Sequence, residues 1–227
     1  MSQPLTSVAE DYLKVVWSAQ EWSQDEITTS LLAGRLGVAP STASEAVRRL
    51  TAQGLLEHAR YGTIRLTDAG RTHALAVVRR HRLIETYLVQ ALGYGWDEVH
   101  EEAEVLEHAV SDKLVDRIDA LLGHPARDPH GDPIPTLDGE VATPDARRLD
   151  TVAPGEAGTV ARLSDADGEA LRWFAEVGLT LDARLDVVDR REFLGTLSLR
   201  LDDGSPLELG LVAARAVWVA PALSRTP

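Results

Sequence analysis

The sequence contains no cysteine, which excludes disulfide bonds, iron–sulfur clusters and metal sites built on thiolates. No apolar run approaches the roughly 20 residues that a membrane-spanning helix needs. The first residues lack the basic and apolar stretches of a signal peptide. We therefore expect a cytoplasmic protein without a membrane partner. With 227 residues, 44% hydrophobic and 26% charged, the chain has the composition of a soluble globular protein with two or three small domains.

The net charge of −13 is unevenly distributed along the chain. Residues 1–72 carry a net charge of −1, residues 73–140 carry −8 and residues 141–227 carry −4. The total argues against nucleic-acid binding, but the nearly neutral first third does not. The acidic middle is either a solvated helix face or a cation site. Several histidines lie in or beside it, and histidine with carboxylate suits Mn, Fe, Co, Ni or Zn.

The first third of the chain has the pattern of a winged helix-turn-helix. Apolar residues at helical spacing predict a first helix over 4–22. Cap and stop signals predict two short helices over 28–37 and 40–54, which match the helix-turn-helix motif. Two short strands over 55–58 and 63–66 then form a hairpin, or wing.

In this motif the second helix lies in the major groove, with its N-terminal residues at base edges. Hydroxyl groups suit phosphate oxygens or base edges, a carboxylate can accept from a cytosine amino group, and arginines neutralise phosphates. The alternative is a winged helix that contacts only proteins. Because the domain has no excess of basic residues, DNA binding requires dimerisation or neutralisation of the acidic middle. The residues expected at DNA are Ser41, Thr42, Ser44, Glu45, Arg48, Arg49, Arg60 and Arg65.

The remainder of the chain changes from helical to strand patterns. A long helix is predicted up to about Leu92, and a single helix over 99–122. Residues 124–155 are rich in Pro, Asp and Gly, which is typical of a linker. Beyond them, one helix over 169–177 interrupts short strands, a pattern typical of a small SH3-like β-barrel. These strands are predicted at 159–163, 185–188, 196–201, 207–209 and 216–219.

Two patches in the acidic middle carry ligand chemistry. His81 and Glu85 are separated by four residues, one turn of a helix. A second set at i, i+4, i+7 and i+8 forms one stripe of a predicted helix. Burying such a stripe requires a compensating cation, whereas exposed ion pairs do not. The second set is His100, Glu104, Glu107 and His108.

Enzyme signatures are missing from the sequence. The zinc-protease motif needs a histidine four residues after His100, where this chain has Glu104. There is also no nucleophile elbow and no Walker loop. We therefore expect no enzyme activity, and a metal-dependent hydrolase using the histidine–glutamate stripe is a minor alternative.

Four segments carry a resemblance to known proteins: AEDYLKVVW at 9–17, STASEAVRRL at 41–50, RRHRLIETYL at 79–88 and WDEVHEEAEVLEHAVSD at 96–112. They resemble the diphtheria-toxin-repressor family of metal-dependent transcriptional regulators, closely its manganese-responsive branch. A further match, HPARDPHGDPIP over 124–135, lies in the family's linker. The resemblance implies a mainly α fold with a small β domain. Its parts are a winged helix-turn-helix domain over 1–72, a helical metal-binding and dimerisation domain over 73–140, a linker over 141–155 and an SH3-like (FeoA-like) domain over 156–227.

The resemblance also implies two metal sites. The family's regulatory site corresponds to Asp11, Glu104, Glu107 and His108. Its second site corresponds to His81, Glu85 and His100, together with Asp165 or Asp167. Iron-responsive members have sulfur ligands at the positions of Asp11 and Glu104. Manganese-responsive two-domain members have a carboxylate where this chain has Lys14.

The sequence therefore predicts a Mn²⁺-activated repressor that binds palindromic operators in double-stranded DNA as a homodimer and controls metal uptake. Hard oxygen ligands favour Mn²⁺, although Fe²⁺, Co²⁺, Ni²⁺ and Zn²⁺ bind such ligands as well. One alternative is an Fe²⁺-dependent repressor of the same family. Another is a winged-helix regulator that responds to an organic ligand, with a merely solvated acidic stripe.

Overall fold

The computed structural model describes residues 5–23, 25–58 and 62–222. It divides into two compact units. The first comprises residues 1–81, 107–110 and 135–140, and the second comprises residues 82–106, 111–134 and 141–227.

The first unit contains a winged helix-turn-helix, as predicted. Strands β1 and β2 pair antiparallel, with Glu57 opposite Arg65. A threonine side chain caps each of the first two helices, whereas a proline begins the third. The elements are α1 (Ser7–Glu21), α2 (Thr29–Arg35), α3 (Pro40–Ala52), β1 (Leu56–His58) and β2 (Ile64–Leu66).

Helix α1 supplies much of this unit's core. Tyr12, Leu13 and Val16 are buried along one face of α1. The wing is attached to the segment before α2, because the Ile64 backbone N–H donates to the Ile27 carbonyl oxygen at 2.8 Å. These contacts make α1, the helix pair and the wing one packed body.

Helix α4 (Asp68–Leu92) begins immediately after the wing and requires a glycine there. A Cβ atom at Gly70 would lie 1.9 Å from the backbone oxygen of Leu55. Only a residue without a side chain permits this approach. The glycine therefore fixes where the long helix leaves the DNA-binding elements.

The single helix predicted over 99–122 is wrong, because the structure has two helices there. They are α5 (Val99–Leu106) and α6 (Asp112–Leu121), separated by a turn. The Ser111 hydroxyl accepts a hydrogen bond from the Leu114 backbone N–H at 3.3 Å and starts α6 afresh. Glu107 and His108 consequently lie in the turn and not on a helical stripe.

The second unit is dominated by an antiparallel sheet of six strands, in the order β3-β8-β4-β5-β6-β7. Its apolar core includes Phe174 from the helix α7. The small β domain is thus confirmed. Its elements are β3 (Arg147–Arg148), β4 (Ala157–Leu163), α7 (Gly168–Glu176), β5 (Arg184–Arg191), β6 (Thr196–Leu201), β7 (Pro206–Gly210), α8 (Leu211–Ala214) and β8 (Val217–Pro221).

The predicted linker overlaps this sheet. Strand β3 pairs with β8, and the 3₁₀ turn Leu149–Thr151 follows it. Leu149 and Val152 are buried in the core of the β domain. These apolar residues lie among prolines and charged residues, which is why the segment was predicted as a linker. Because β3 belongs to the sheet, the sheet begins before residue 156.

Among the residues that the structure describes, every helix is too short or too polar to cross a membrane.

Candidate metal centres and nucleic-acid interface

The first unit brings three predicted ligands together. Asp11 lies on α1, whereas Glu107 and His108 lie in the turn after α5. The His108 Nε2 atom is 2.7 Å from Asp11 Oδ1 and 3.4 Å from Glu107 Oε1. One ligand atom of each residue lies within 4.8 Å of the others. Two carboxylates and one imidazole can therefore coordinate a single cation. We call Asp11, Glu107 and His108 the first cluster.

Polar neighbours orient the ligands of this cluster. The His108 Nδ1 atom faces Glu10 Oε2 at 3.1 Å, which leaves Nε2 directed at Asp11. The Glu107 side chain is fully buried, and its Oε2 atom is 2.5 Å from His81 Nδ1. A carboxylate on the outer nitrogen of a ligating histidine is the usual support in metal sites.

The surroundings of Glu107 favour its charged form despite its burial. Burial alone raises the pKa of this carboxyl group, but the hydrogen bond from His81 and the charges of His81 and Lys14 outweigh it. The pKa of Glu107 therefore lies below its usual value. The Lys14 Nζ atom donates to Glu107 Oε1 at 2.6 Å. Two carboxylates and one imidazole fit a divalent metal ion as a donor set.

The second unit contains another cluster, centred on Glu85. Two groups of potential ligands share this fully buried carboxylate. One adds His100 and Asp165, and the other adds Asp128 and His130. We call these five residues the second cluster.

A histidine nitrogen in this cluster lacks a hydrogen bond. His130 is fully buried, and among the described residues its Nδ1 atom has no hydrogen-bond partner. This nitrogen lies 3.9 Å from Glu85 Oε2. Its Nε2 atom is 2.6 Å from the Trp96 carbonyl oxygen and can donate to it. An Nε2–H donor leaves a lone pair on Nδ1, which fits metal coordination.

Histidine and carboxylate side chains of the second cluster shift one another's pKa. The His100 Nδ1 atom is 3.3 Å from both Glu85 Oε1 and Asp165 Oδ2. Burial lowers the pKa of His100, but the hydrogen bonds to Asp165 and Glu85 raise it well above its usual value. Asp165 has a depressed pKa because His100 outweighs the effect of its burial. Burial, then the charges of Asp132 and Glu85, raise the pKa of Asp128.

An ordered loop carries two of these ligands. The Asp128 carboxylate accepts from the backbone N–H groups of His130 and Asp132, at 2.8 and 2.9 Å. The Arg162 guanidinium of β4 donates to Asp132 at 2.7 Å, and Arg82 of α4 donates to the Pro133 carbonyl at 2.6 Å. The loop is therefore attached to both α4 and the sheet, which explains how a segment predicted as linker becomes buried.

His81, Glu104 and Asp167 are the predicted ligands that belong to neither of the two clusters defined above. The His81 Nδ1 atom contacts Glu107 Oε2. Glu104 lies in the second unit, with its Oε1 atom 3.6 Å from His100 Nε2. Asp167 caps α7 by accepting from two backbone N–H groups, and only Asp165 joins the second cluster.

Asp128 and His130 are candidate ligands that sequence reasoning missed. Their short separation, D-x-H, was visible, but they lay in a stretch interpreted as linker. The burial of these residues depends on distant partners on α4 and β4. That information is absent from local spacing.

Helix α3 presents the predicted DNA-reading face. Its buried side is apolar, with Ala43, Ala46, Val47 and Leu50 in the core. Glu45 and Arg48 form an exposed ion pair with Nη2–Oε2 at 2.7 Å. Arg60 lies outside the described residues. The exposed residues are Ser41, Thr42, Ser44, Glu45, Arg48 and Arg49 on α3 and Arg65 on β2.

The fold and clusters define a winged-helix protein with candidate metal sites, and comparison with known proteins specifies its family. Residues 4–64 match the iron-dependent repressor N-terminal DNA-binding domain. Residues 67–136 match the metal-binding and dimerisation domain of the same family, and residues 147–221 match the FeoA domain. The iron-dependent repressor IdeR of Mycobacterium leprae is 37% identical over 63% of this chain and 61% of its own length. The diphtheria toxin repressor of Corynebacterium diphtheriae is 34% identical over 64% of this chain and 67% of its own length.

Solved structures extend the similarity over the whole fold. A manganese-dependent transcriptional repressor in complex with manganese is 60% identical, with a TM-score of 0.91 over 94% of this chain and 99% of that chain. ScaR with bound Zn²⁺ is 32% identical, with a TM-score of 0.82 over 94% of this chain and 99% of that chain. The chain belongs to the iron-dependent repressor family, whose members are transcriptional repressors and not enzymes. Its DNA-binding and dimerisation domains imply DNA and a second copy of the chain as partners.

Proposed function

We propose that this protein is a Mn²⁺-activated repressor that binds palindromic operators as a homodimer and controls genes for metal uptake in the cytoplasm. The observation that carries the proposal is the first cluster. It joins α1, which packs inside the DNA-binding unit, to the turn that follows α5. A cation held there ties the position of the turn to that of the reading helix.

The donor set supports manganese. The first cluster offers two carboxylates and one imidazole, and the chain has no cysteine to supply a sulfur ligand. Hard oxygen-rich coordination suits Mn²⁺, whereas sulfur favours softer metals. The similar structure that contains manganese agrees with this choice. Fe²⁺ is the runner-up, and metal availability in the cell contributes to the selection.

The residues of the cluster account for metal-dependent activation. Asp11 on α1 and Glu107 in the turn after α5 both direct a carboxylate at His108. A bound divalent ion supplies positive charge to these carboxylates. Activation follows only if the DNA-competent arrangement binds metal more tightly than the alternatives do.

The test is operator affinity as a function of each divalent metal, under anaerobic conditions. The DNA is selected from a random pool in the presence of Mn²⁺. The proposal requires tight binding with Mn²⁺ and weak binding after chelation. Operator binding that Fe²⁺ supports and Mn²⁺ does not would assign the iron function instead. Binding that ignores metal would leave the organic-ligand regulator.

A pair of histidine variants places the effect at the first cluster. His108→Ala removes the imidazole beside Asp11 and should abolish the Mn²⁺ response without unfolding the protein. His73→Ala is the matched control, because His73 is exposed on α4. Equal Mn²⁺ responses in wild type and His108→Ala would remove the first cluster from the proposal.

A further inference from the structure

A lysine side chain donates a hydrogen bond to Glu107, the most buried ligand of the first cluster. Lys14 stands one turn after Asp11 on α1, and its side chain is only 10% exposed. Its Nζ atom is 2.6 Å from Glu107 Oε1, while His81 Nδ1 faces the other oxygen of the same carboxylate. Both carboxylate oxygens of Glu107 are therefore contacted by side chains of the chain itself.

The position of Lys14 conflicts with metal coordination. The Glu107 oxygen that accepts from Lys14 is the one that lies 3.4 Å from His108 Nε2. This nitrogen in turn contacts Asp11 at 2.7 Å. Glu107 Oε1, the oxygen directed towards the other two ligands, thus accepts a hydrogen bond from the Lys14 ammonium group. A divalent cation and the ammonium would share lone pairs, and like charges at such separations repel strongly in a buried site.

We propose that Lys14 sets the metal affinity of the first cluster as an internal competing cation. It holds Glu107 in position in the metal-free protein, and metal binding requires it to give up or share Oε1. The inference rests on the proposed function, namely that the first cluster binds a divalent ion. Lys14, which is not itself a ligand, then determines the metal concentration at which the protein responds.

The residue type agrees with this role. The chain contains two lysines, Lys14 and Lys113, against 21 arginines. A lysine carries a point charge on a flexible stem, so its ammonium can leave a carboxylate oxygen by rotation about its bonds. A planar arginine fork would hold the carboxylate through two hydrogen bonds and would compete more rigidly.

The experiment compares Lys14→Met with Lys113→Met, whose lysine is exposed on α6. Both changes are made in the full chain carrying Glu85→Gln, which disables the second cluster. Free Mn²⁺ is quantified by its electron paramagnetic resonance signal at fixed pH and ionic strength. Removing the competing charge should tighten Mn²⁺ binding by at least about tenfold in Lys14→Met. The Lys113→Met variant should bind as the parent does.

A metal-free readout separates competition from simple structural pairing. Thermal unfolding of the metal-free protein should occur at a lower temperature in Lys14→Met, and saturating Mn²⁺ should raise it by more than in the parent. Lys14→Gln serves as a second variant if the methionine side chain prevents folding. Unchanged or weaker Mn²⁺ affinity in the folded Lys14 variants would overturn the inference.

The metal function of the first cluster and the role of Lys14 are tested by different outcomes. If the Glu85→Gln parent binds no Mn²⁺ and His108→Ala changes nothing in the wild-type chain, the metal function of the first cluster fails. If the parent binds Mn²⁺ at this cluster and the Lys14 variants match it, only the role of Lys14 fails.

Discussion

His108 and Glu107 each have a second polar contact that fixes their direction. Glu10 faces the outer nitrogen of His108, and His81 faces the outer oxygen of Glu107. Asp11 differs, because its side chain is 30% exposed and lies on a helix that the turn must reach. A ligand substitution at Asp11 should therefore change the chemistry of the cluster with little disturbance of the fold.

Asp11→Met should weaken the response to Mn²⁺ relative to Co²⁺. The substitution replaces a hard oxygen by a soft thioether, which stabilises softer ions more than Mn²⁺. The measurement is the ratio of the two metal concentrations that give half-maximal operator binding. Asp11→Asn, which keeps an oxygen donor, is the control and should change the ratio less. A ratio identical in all three proteins would mean that ligand identity does not determine the selectivity.

Arg48→Ala should weaken binding to all DNA sequences alike. Arg48 is exposed on α3 and pairs with Glu45, so it is available to a phosphate once that pair opens. Losing one phosphate contact should reduce the slope of log affinity against log salt by about one. Arg200→Ala, an exposed change on β6 of the β domain, should leave the slope as it is. An unchanged slope for Arg48→Ala would show that this residue does not neutralise a phosphate.

At the level of elements, local signals predicted most helices and strands correctly. Strand β6 occupies the predicted range of 196–201, and α3 begins at the predicted Pro40. The break between α5 and α6 was missed, because acidic and apolar residues continue at helical spacing through it. The cap at Ser111 determines the break, and this break moves Glu107 and His108 into the first unit.

The candidate sites were less predictable than the elements, because their ligands come from distant segments. Spacing on α4 and α5 identified Glu85 and His100 as candidate ligands. It could not identify His130, whose burial depends on a loop attached to β4 through the Leu163 backbone N–H, which donates to the His130 carbonyl at 2.9 Å. Such partners become neighbours only when the chain folds.

Gly131→Ala should destabilise the loop that carries His130. Gly131 has a φ of 95°, and a Cβ atom there would lie 2.1 Å from the backbone oxygen of Ala161. We expect a loss of about 3 kcal/mol in the free energy of unfolding, from strain plus the backbone clash. Gly155→Ala is the matched control. Its φ is 88° with no atom within 4 Å of the added Cβ, so it should cost only about 1 kcal/mol. Equal losses in chemical denaturation would remove the clash from the explanation.

For the molecule as a whole, the charge of −13 opposes the approach of DNA. The near-neutral reading domain reduces this opposition, and the acidic clusters offer a way to reduce it further. The residues of the first cluster belong to one compact unit, and the five residues of the second cluster belong to the other. Two divalent ions would bring four positive charges to the chain, so metal loading changes the long-range field as well as the local geometry.

Because the clusters have separate ligand sets, the chain should bind two Mn²⁺ ions independently. Equilibrium dialysis with metal analysis should give two ions per wild-type chain and one for either His108→Ala or Glu85→Gln. The double variant should bind none at the same free Mn²⁺ concentration, whereas His73→Ala should bind two.

The single variants should also differ in function. His108→Ala loses the Mn²⁺ dependence of operator binding, because its cluster lies in the DNA-binding unit, whereas Glu85→Gln retains at least part of it. If one substitution removed both ions, the two clusters would not bind Mn²⁺ independently. They would then form one coupled metal site.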